Sequence, residues 1–181
     1  SEHQRVIAVP RIHSPEVLHR TIDRLTTLAG RFATPPNVRA AEAVEALTWL
    51  SRLASGERPF YKIRRDEPVI EAALYSANAA KPAIDALGKL ETAESQSALV
   101  DFASQPTLPI ESRAQAADAF RNSVAAHGVL LTTDQILTQY DRYNASETAD
   151  ADTQRVLGSL LDAIESRRAT TPQFPAGSAP P

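Results

Sequence analysis

A four-residue pattern, apolar–acidic–Ala–large apolar, recurs along the chain as Val44-Glu45-Ala46-Leu47, Ile84-Asp85-Ala86-Leu87, Ala117-Asp118-Ala119-Phe120 and Leu161-Asp162-Ala163-Ile164. Successive copies lie 40, 33 and 44 residues apart. Each sits in a stripe of apolar residues at steps of three and four, the spacing of one helix face. Between successive copies runs one shorter stripe, so the repeating unit is a short helix followed by a longer one. A small Ala beside a large apolar side chain lets neighbouring helices approach closely, while the acid faces water. A unit of this kind cannot bury its apolar face alone and must stack on its neighbours.

Helical spacing governs nearly everything after residue 15. Leu18, Ile22, Leu25 and Leu28 form a stripe over Pro15–Ala29, and Ala40, Val44, Leu47, Leu50 and Ala54 form one over Asn37–Ala54. Shorter stripes carry Val69, Ile70, Ala73, Leu74 and Ala77, then Ala83, Ile84, Leu87 and Leu90, then Ala98, Leu99, Phe102 and Ala103. Ala114, Ala117, Phe120 and Val124 follow, and the series closes with Ile136, Leu137 and Tyr140, then Val156, Leu157, Leu160, Leu161 and Ile164. Pro15, Pro68 and Pro82 open stripes as N1 prolines do. Gly30, Gly56 and Gly128 stand just past stripes, where a C′ residue needs positive φ. Thr133-Asp134 and Ser146-Glu147-Thr148 are placed to cap the last two helices. Only Arg5–Val9 reads as a strand. Residues 169–181, with Pro172, Pro175, Pro180 and Pro181, show no period and read as a flexible tail.

Composition excludes several function classes. A net charge of −3 and a pI near 5.8, with no dominant basic block, argue against nucleic acid as the main partner. No apolar run approaches the ~20 residues of a membrane span, and the start Ser1-Glu2-His3-Gln4-Arg5 is no signal peptide, so the expectation is a cytoplasmic chain without a membrane partner. The absence of Cys removes disulfides, thiol nucleophiles and thiolate metal sites. Gly30, Gly56, Gly88, Gly128, Gly158 and Gly177 are all isolated, so no phosphate-cradling loop and no GxSxG elbow can be assembled. His3, His13, His19 and His127 are scattered and form no HExxH pair. Asp85, Asp118 and Asp162 recur at one repeat position, which points to a repeated structural task rather than to acid–base chemistry. The expectation is a protein that is not an enzyme, with no cofactor, metal or small-molecule substrate.

The period and composition of residues 37–166 resemble HEAT-like helical repeats, in which two-helix units of about 40 residues stack into a solenoid. A second resemblance lies upstream. Arg5-Val6-Ile7-Ala8-Val9-Pro10-Arg11-Ile12-His13-Ser14-Pro15-Glu16-Val17-Leu18 is similar to the last strand and last helix of a receiver domain, with Ser14, Pro15, Glu16, Leu18 and Ile22 keeping the pattern. Arg11 and Ile12 stand where that family has Lys-Pro. Together with Pro59–Pro68, Leu99–Pro106 and Gly128–Ile164, these segments resemble bacterial HEAT-repeat proteins of the planctomycete type that carry a receiver-like domain. The resemblance implies an all-α HEAT-like repeat stack of about four helix pairs over residues 31–168. It also implies a receiver-like fragment with one orphan strand over 1–30, ahead of the tail at 169–181. With no Met anywhere, the chain is expected to have been processed or cut from something longer.

Two segments stand out as candidate sites. Glu57–Glu67 combines Arg58, Lys62, Arg64 and Arg65 with the adjacent aromatics Phe60 and Tyr61 in an inter-helix loop. The aromatics would anchor a protein partner and the cations would clamp its carboxylates or phosphates. The competing arrangement folds the aromatics over the helix of Trp49 and pairs the arginines with Asp66 and Glu67. In the second segment, Tyr140, Tyr143 and Asn144 read as a structural corner whose hydroxyls bond across to the following helix. The expected function is a non-catalytic protein-interaction or scaffold module. The alternative is a regulatory output segment that exchanges signals with a receiver-like portion.

Overall fold

The computed structural model describes residues 37–54, 67–76 and 79–166. These form α1 (Asn37–Arg52), α2 (Glu67–Ala73), α3 (Ala80–Leu87), α4 (Ala93–Ser104), α5 (Ile110–His127), α6 (Thr133–Ala145), a 3₁₀ turn (Ser146–Thr148) and α7 (Ala151–Ser166). The described residues are therefore all-helical, as the stripes require. The strand at Arg5–Val9, the stripe over 15–29, Gly30, Gly56 and the tail lie outside the described residues.

All four copies of the tetrad fall on α1, α3, α5 and α7. These helices pack in chain order, α1 on α3, α3 on α5 and α5 on α7. The shorter partners pack each on the helix that follows, α2 on α3, α4 on α5 and α6 on α7, and α2 also touches α4. The last residue of every tetrad, Leu47, Leu87, Phe120 or Ile164, is fully buried, and one apolar core runs through the described residues from Ala46 to Ile164. The acids Asp85, Asp118 and Asp162 are exposed, whereas Glu45 is half-buried. Asp85 accepts a bond from Gln115 Nε2 at 3.3 Å, tying α3 to α5, and Asp118 pairs with Arg121 one turn on. The role of the small tetrad residue is clearest at Ala119. A Cβ placed on Gly88 would lie 3.0 Å from the Ala119 Cβ and 3.3 Å from its carbonyl oxygen, so the end of α3 meets α5 nearly backbone to backbone.

Polar side chains bind the helices where the apolar pattern is interrupted. Arg113 on α5 is 2% exposed and donates from Nε to the Ala103 carbonyl at 2.9 Å and from Nη1 to Thr153 Oγ1 at 2.9 Å. One side chain thereby joins α4, α5 and α7. Gln96 on α4 donates to the Gly128 carbonyl at 2.9 Å and accepts from the Leu130 amide at 2.9 Å, pinning the α5–α6 connection. Gly128 there has φ 82°, the left-handed conformation that glycine adopts at least cost.

The helix ends depart from the sequence expectation by one or a few residues. α6 is capped by Thr132 rather than Thr133-Asp134: Thr132 Oγ1 accepts from the Gln135 amide and Gln135 Oε1 from the Thr132 amide at 2.9 Å, a reciprocal capping box. The cap of α7 is Asp150, which accepts from the Thr153 amide at 2.8 Å, while Ser146-Glu147-Thr148 forms the 3₁₀ turn. Pro82 stands third in α3, still in the first turn where no amide donor is needed. Two stripe members also differ. Ala114 is exposed and Ala116 is buried instead, because α5 is covered by α3, α4 and α7 and turns a broad face inward. Leu137 is exposed, its inward place taken by buried Gln139, which accepts from Ser104 of α4 at 3.1 Å.

Candidate functional site

A groove of about 500 Å³ opens on the side of the molecule formed by α2, α4 and the start of α6. Glu71, Leu74 and Tyr75 line it from α2 and the turn that follows, and Glu94, Ala98 and Asp101 from α4. Thr132 and Gln135 close the far end. Its volume is that of clefts which take small ligands or single side chains, about 300–1,000 Å³.

Both walls combine acids with apolar or aromatic surface. Tyr75 is 57% exposed, with its ring 5.6 Å from that of Phe102 in a tilted arrangement, and its hydroxyl accepts from Gln105 Nε2 at 3.2 Å. That contact with a buried aromatic holds a large ring at the surface in a defined place. Acids gather beside it. Glu67, at the start of α2, is buried and accepts a bond from the Thr92 hydroxyl, which also caps α4 by accepting from the Ser95 amide at 3.2 Å. Glu71, one turn further along α2, is half-buried. Its carboxyl is held above the usual carboxylate range, first by loss of solvent and then by the neighbouring charges of Glu67 and Glu94. Neither the Glu71 nor the Glu94 carboxylate makes a hydrogen bond or ion pair among the described residues. Asp101, by contrast, pairs with Arg142 at 2.8 Å. The positive end of α6 is offset by its own capping box and by Asp134 in the first turn. Gln135 is further held by its bond to Ser97 Oγ at 2.8 Å.

Three crowded carboxylates raise the question of a metal. Among the described residues no group of three His, Cys, Asp or Glu side chains converges as metal ligands would. The arrangement instead suits a cationic group that arrives with its own apolar stem: one carboxylate from α2 and one from α4, beside the Tyr75 ring and Ala98.

The groove was not singled out from the sequence. The available signal was the pair Glu67 and Glu71, like charges four residues apart on one helix face, a spacing that is unfavourable unless something offsets it. Of the sequence candidates, Arg58, Phe60, Tyr61, Lys62, Arg64 and Arg65 lie outside the described residues. In the second segment Tyr140 donates to Glu165 Oε1 at 2.7 Å, from α6 to α7. The Tyr143 ring borders Gly158, where a Cβ would come within 3.5 Å of its edge, and Asn144 is exposed at the end of α6. No helix among the described residues is long and apolar enough to cross a membrane. No protein-family model, curated protein or solved structure matches this chain.

Proposed function

We propose that this chain is a non-catalytic protein-interaction module of the HEAT-like type, which presents an extended helical surface to a protein partner. The observation that carries the reading is the chain-order packing of α1, α3, α5 and α7, each with its tetrad ending in a fully buried side chain. Equal positions doing equal packing work in successive units is how stacked repeats build a surface longer than a single core. The groove on the opposite helices supports the same reading. It places an anchored aromatic beside polar groups, the mixture found where protein surfaces meet. In this reading the run Arg58–Arg65, between α1 and α2 in the chain, adds cations and aromatics to the binding surface.

The test is affinity capture from native lysate with the full chain and with Arg64→Glu/Arg65→Glu. Each recovered protein is then purified and titrated against the chain by calorimetry. Saturable binding of one purified protein is the expected result, and its loss in the double variant maps the contact to the basic run. A set of recovered proteins none of which binds once purified overturns the module.

A further inference from the structure

Glu71 and Glu94, two carboxylates without partners among the described residues, line the same groove as an exposed aromatic ring. Folding has brought like charges together there with no ion pair among the described residues, although Asp101, about two turns beyond Glu94 on α4, has its arginine. Glu71 is half-buried and Glu94 exposed, so the like charges cost most at Glu71, and a cation entering between them removes that cost. The shape of the site limits which cation. Ala93, Ala98 and the Tyr75 ring offer apolar surface to a side-chain stem, and Tyr75 offers a π face to the charged head. A bare hydrated ion would use neither. Lysine and arginine use both.

We infer that this groove docks a lysine- or arginine-bearing segment of the partner protein, with the cationic head between Glu71 and Glu94 and its stem along Ala98 and Tyr75. The inference rests on the interaction-module reading and names the chemistry of its partner. Asp101, already paired with Arg142, contributes field rather than a direct contact.

The test uses the full chain and short fluorescent peptides with a central Arg or Lys in randomised flanks, read by anisotropy at physiological salt. Matched peptides carry a central Glu. Selection of Arg or Lys peptides is expected, with about tenfold weaker binding to Glu71→Gln/Glu94→Gln. A distant control, Asp118→Asn/Asp162→Asn, changes the net charge equally on exposed positions of α5 and α7 and is expected to bind as the wild type does. Melting curves accompany each variant, and the groove variant is expected to melt no lower than the wild type, which separates lost contact from lost fold. Equal weakening in both double variants would reduce the effect to net charge and overturn the site. So would selection of no cationic peptide, competition by free arginine or spermidine at the peptide's own concentration, or binding that strengthens in Arg64→Glu/Arg65→Glu because the chain's own basic run had been competing. A purified partner that binds the wild type and the groove variant alike would leave the interaction module standing and remove the groove from it.

Discussion

Glu71 and Asp150 are carboxylates whose surroundings act on stability in opposite directions. Glu71 is raised above its ordinary pKa, so folding favours its protonated form. Its contribution is present in full below the unfolded carboxylate pKa and is lost as pH rises through the folded value. Glu71→Gln is therefore expected to stabilise the chain at neutral pH, by roughly 0.5 kcal/mol given solvent screening of a half-exposed site, with the gain fading as pH falls into the carboxylate range. Urea titrations at pH 7 and pH 4 check the sign and its fading. Asp150 is lowered by the bonds it accepts from the Thr153 backbone and side chain, so its contribution is present above the carboxylate range and lost as pH falls through the lowered value. Arg113 belongs to the same network. Burial lowers its pKa, the charge of Asp150 opposes that, and Nη1 reaches Thr153 between them. Its Nη2 is buried with no hydrogen-bond partner among the described residues. Arg113→Ala is expected to cost about 3 kcal/mol in denaturant melts, and Arg113→Met markedly less, because an apolar chain of similar length fills the space without a charge to satisfy.

At the scale of elements, the connections between helices are held by side chains far away in sequence. Gln96 fixes both a carbonyl and an amide of the α5–α6 link, so Gln96→Leu is expected to lose about 2 kcal/mol and to speed hydrogen exchange at Leu130 before other amides. The contact of α3 with α5 depends on space rather than polarity. Gly88→Val is expected to destabilise by about 2 kcal/mol, since its branches would meet the Ala119 Cβ and carbonyl with a backbone, not a flexible side chain, on the other side. Thermal melts of Gly88→Val alone and with Ala119→Gly test this: the second change is expected to restore part of the loss.

For the whole molecule, a stack and a single-centred bundle differ in what survives truncation. Deleting residues 129–181 removes α6 and α7, roughly a third of the described helical residues. If each unit leans mainly on its neighbours, the remainder stays helical, loses about that share of the circular-dichroism signal and still melts cooperatively at a lower temperature. Loss of nearly all helical signal would instead place the units around one indivisible core. The tetrads make the first outcome the expected one, because α1, α3 and α5 keep their mutual contacts in the shortened chain.

The sequence by itself determined where the described helices lie and which of their residues face inward in the tetrads. That information is local: side chains three and four apart share a face whatever the helix packs against. Leu47, Leu87, Phe120 and Ile164 are buried for that reason, and Gly128 takes positive φ for an equally local one. Where the pattern failed, at Ala114 and Leu137, the number and placement of neighbouring helices decided. The groove was a tertiary product altogether. Glu71 and Glu94 belong to different helices, Arg113 and Thr153 are 40 residues apart, and Gln96 meets Leu130 across 34. Such pairings depend on how the helices cross, and the spacing of residues within any one helix carries no record of that.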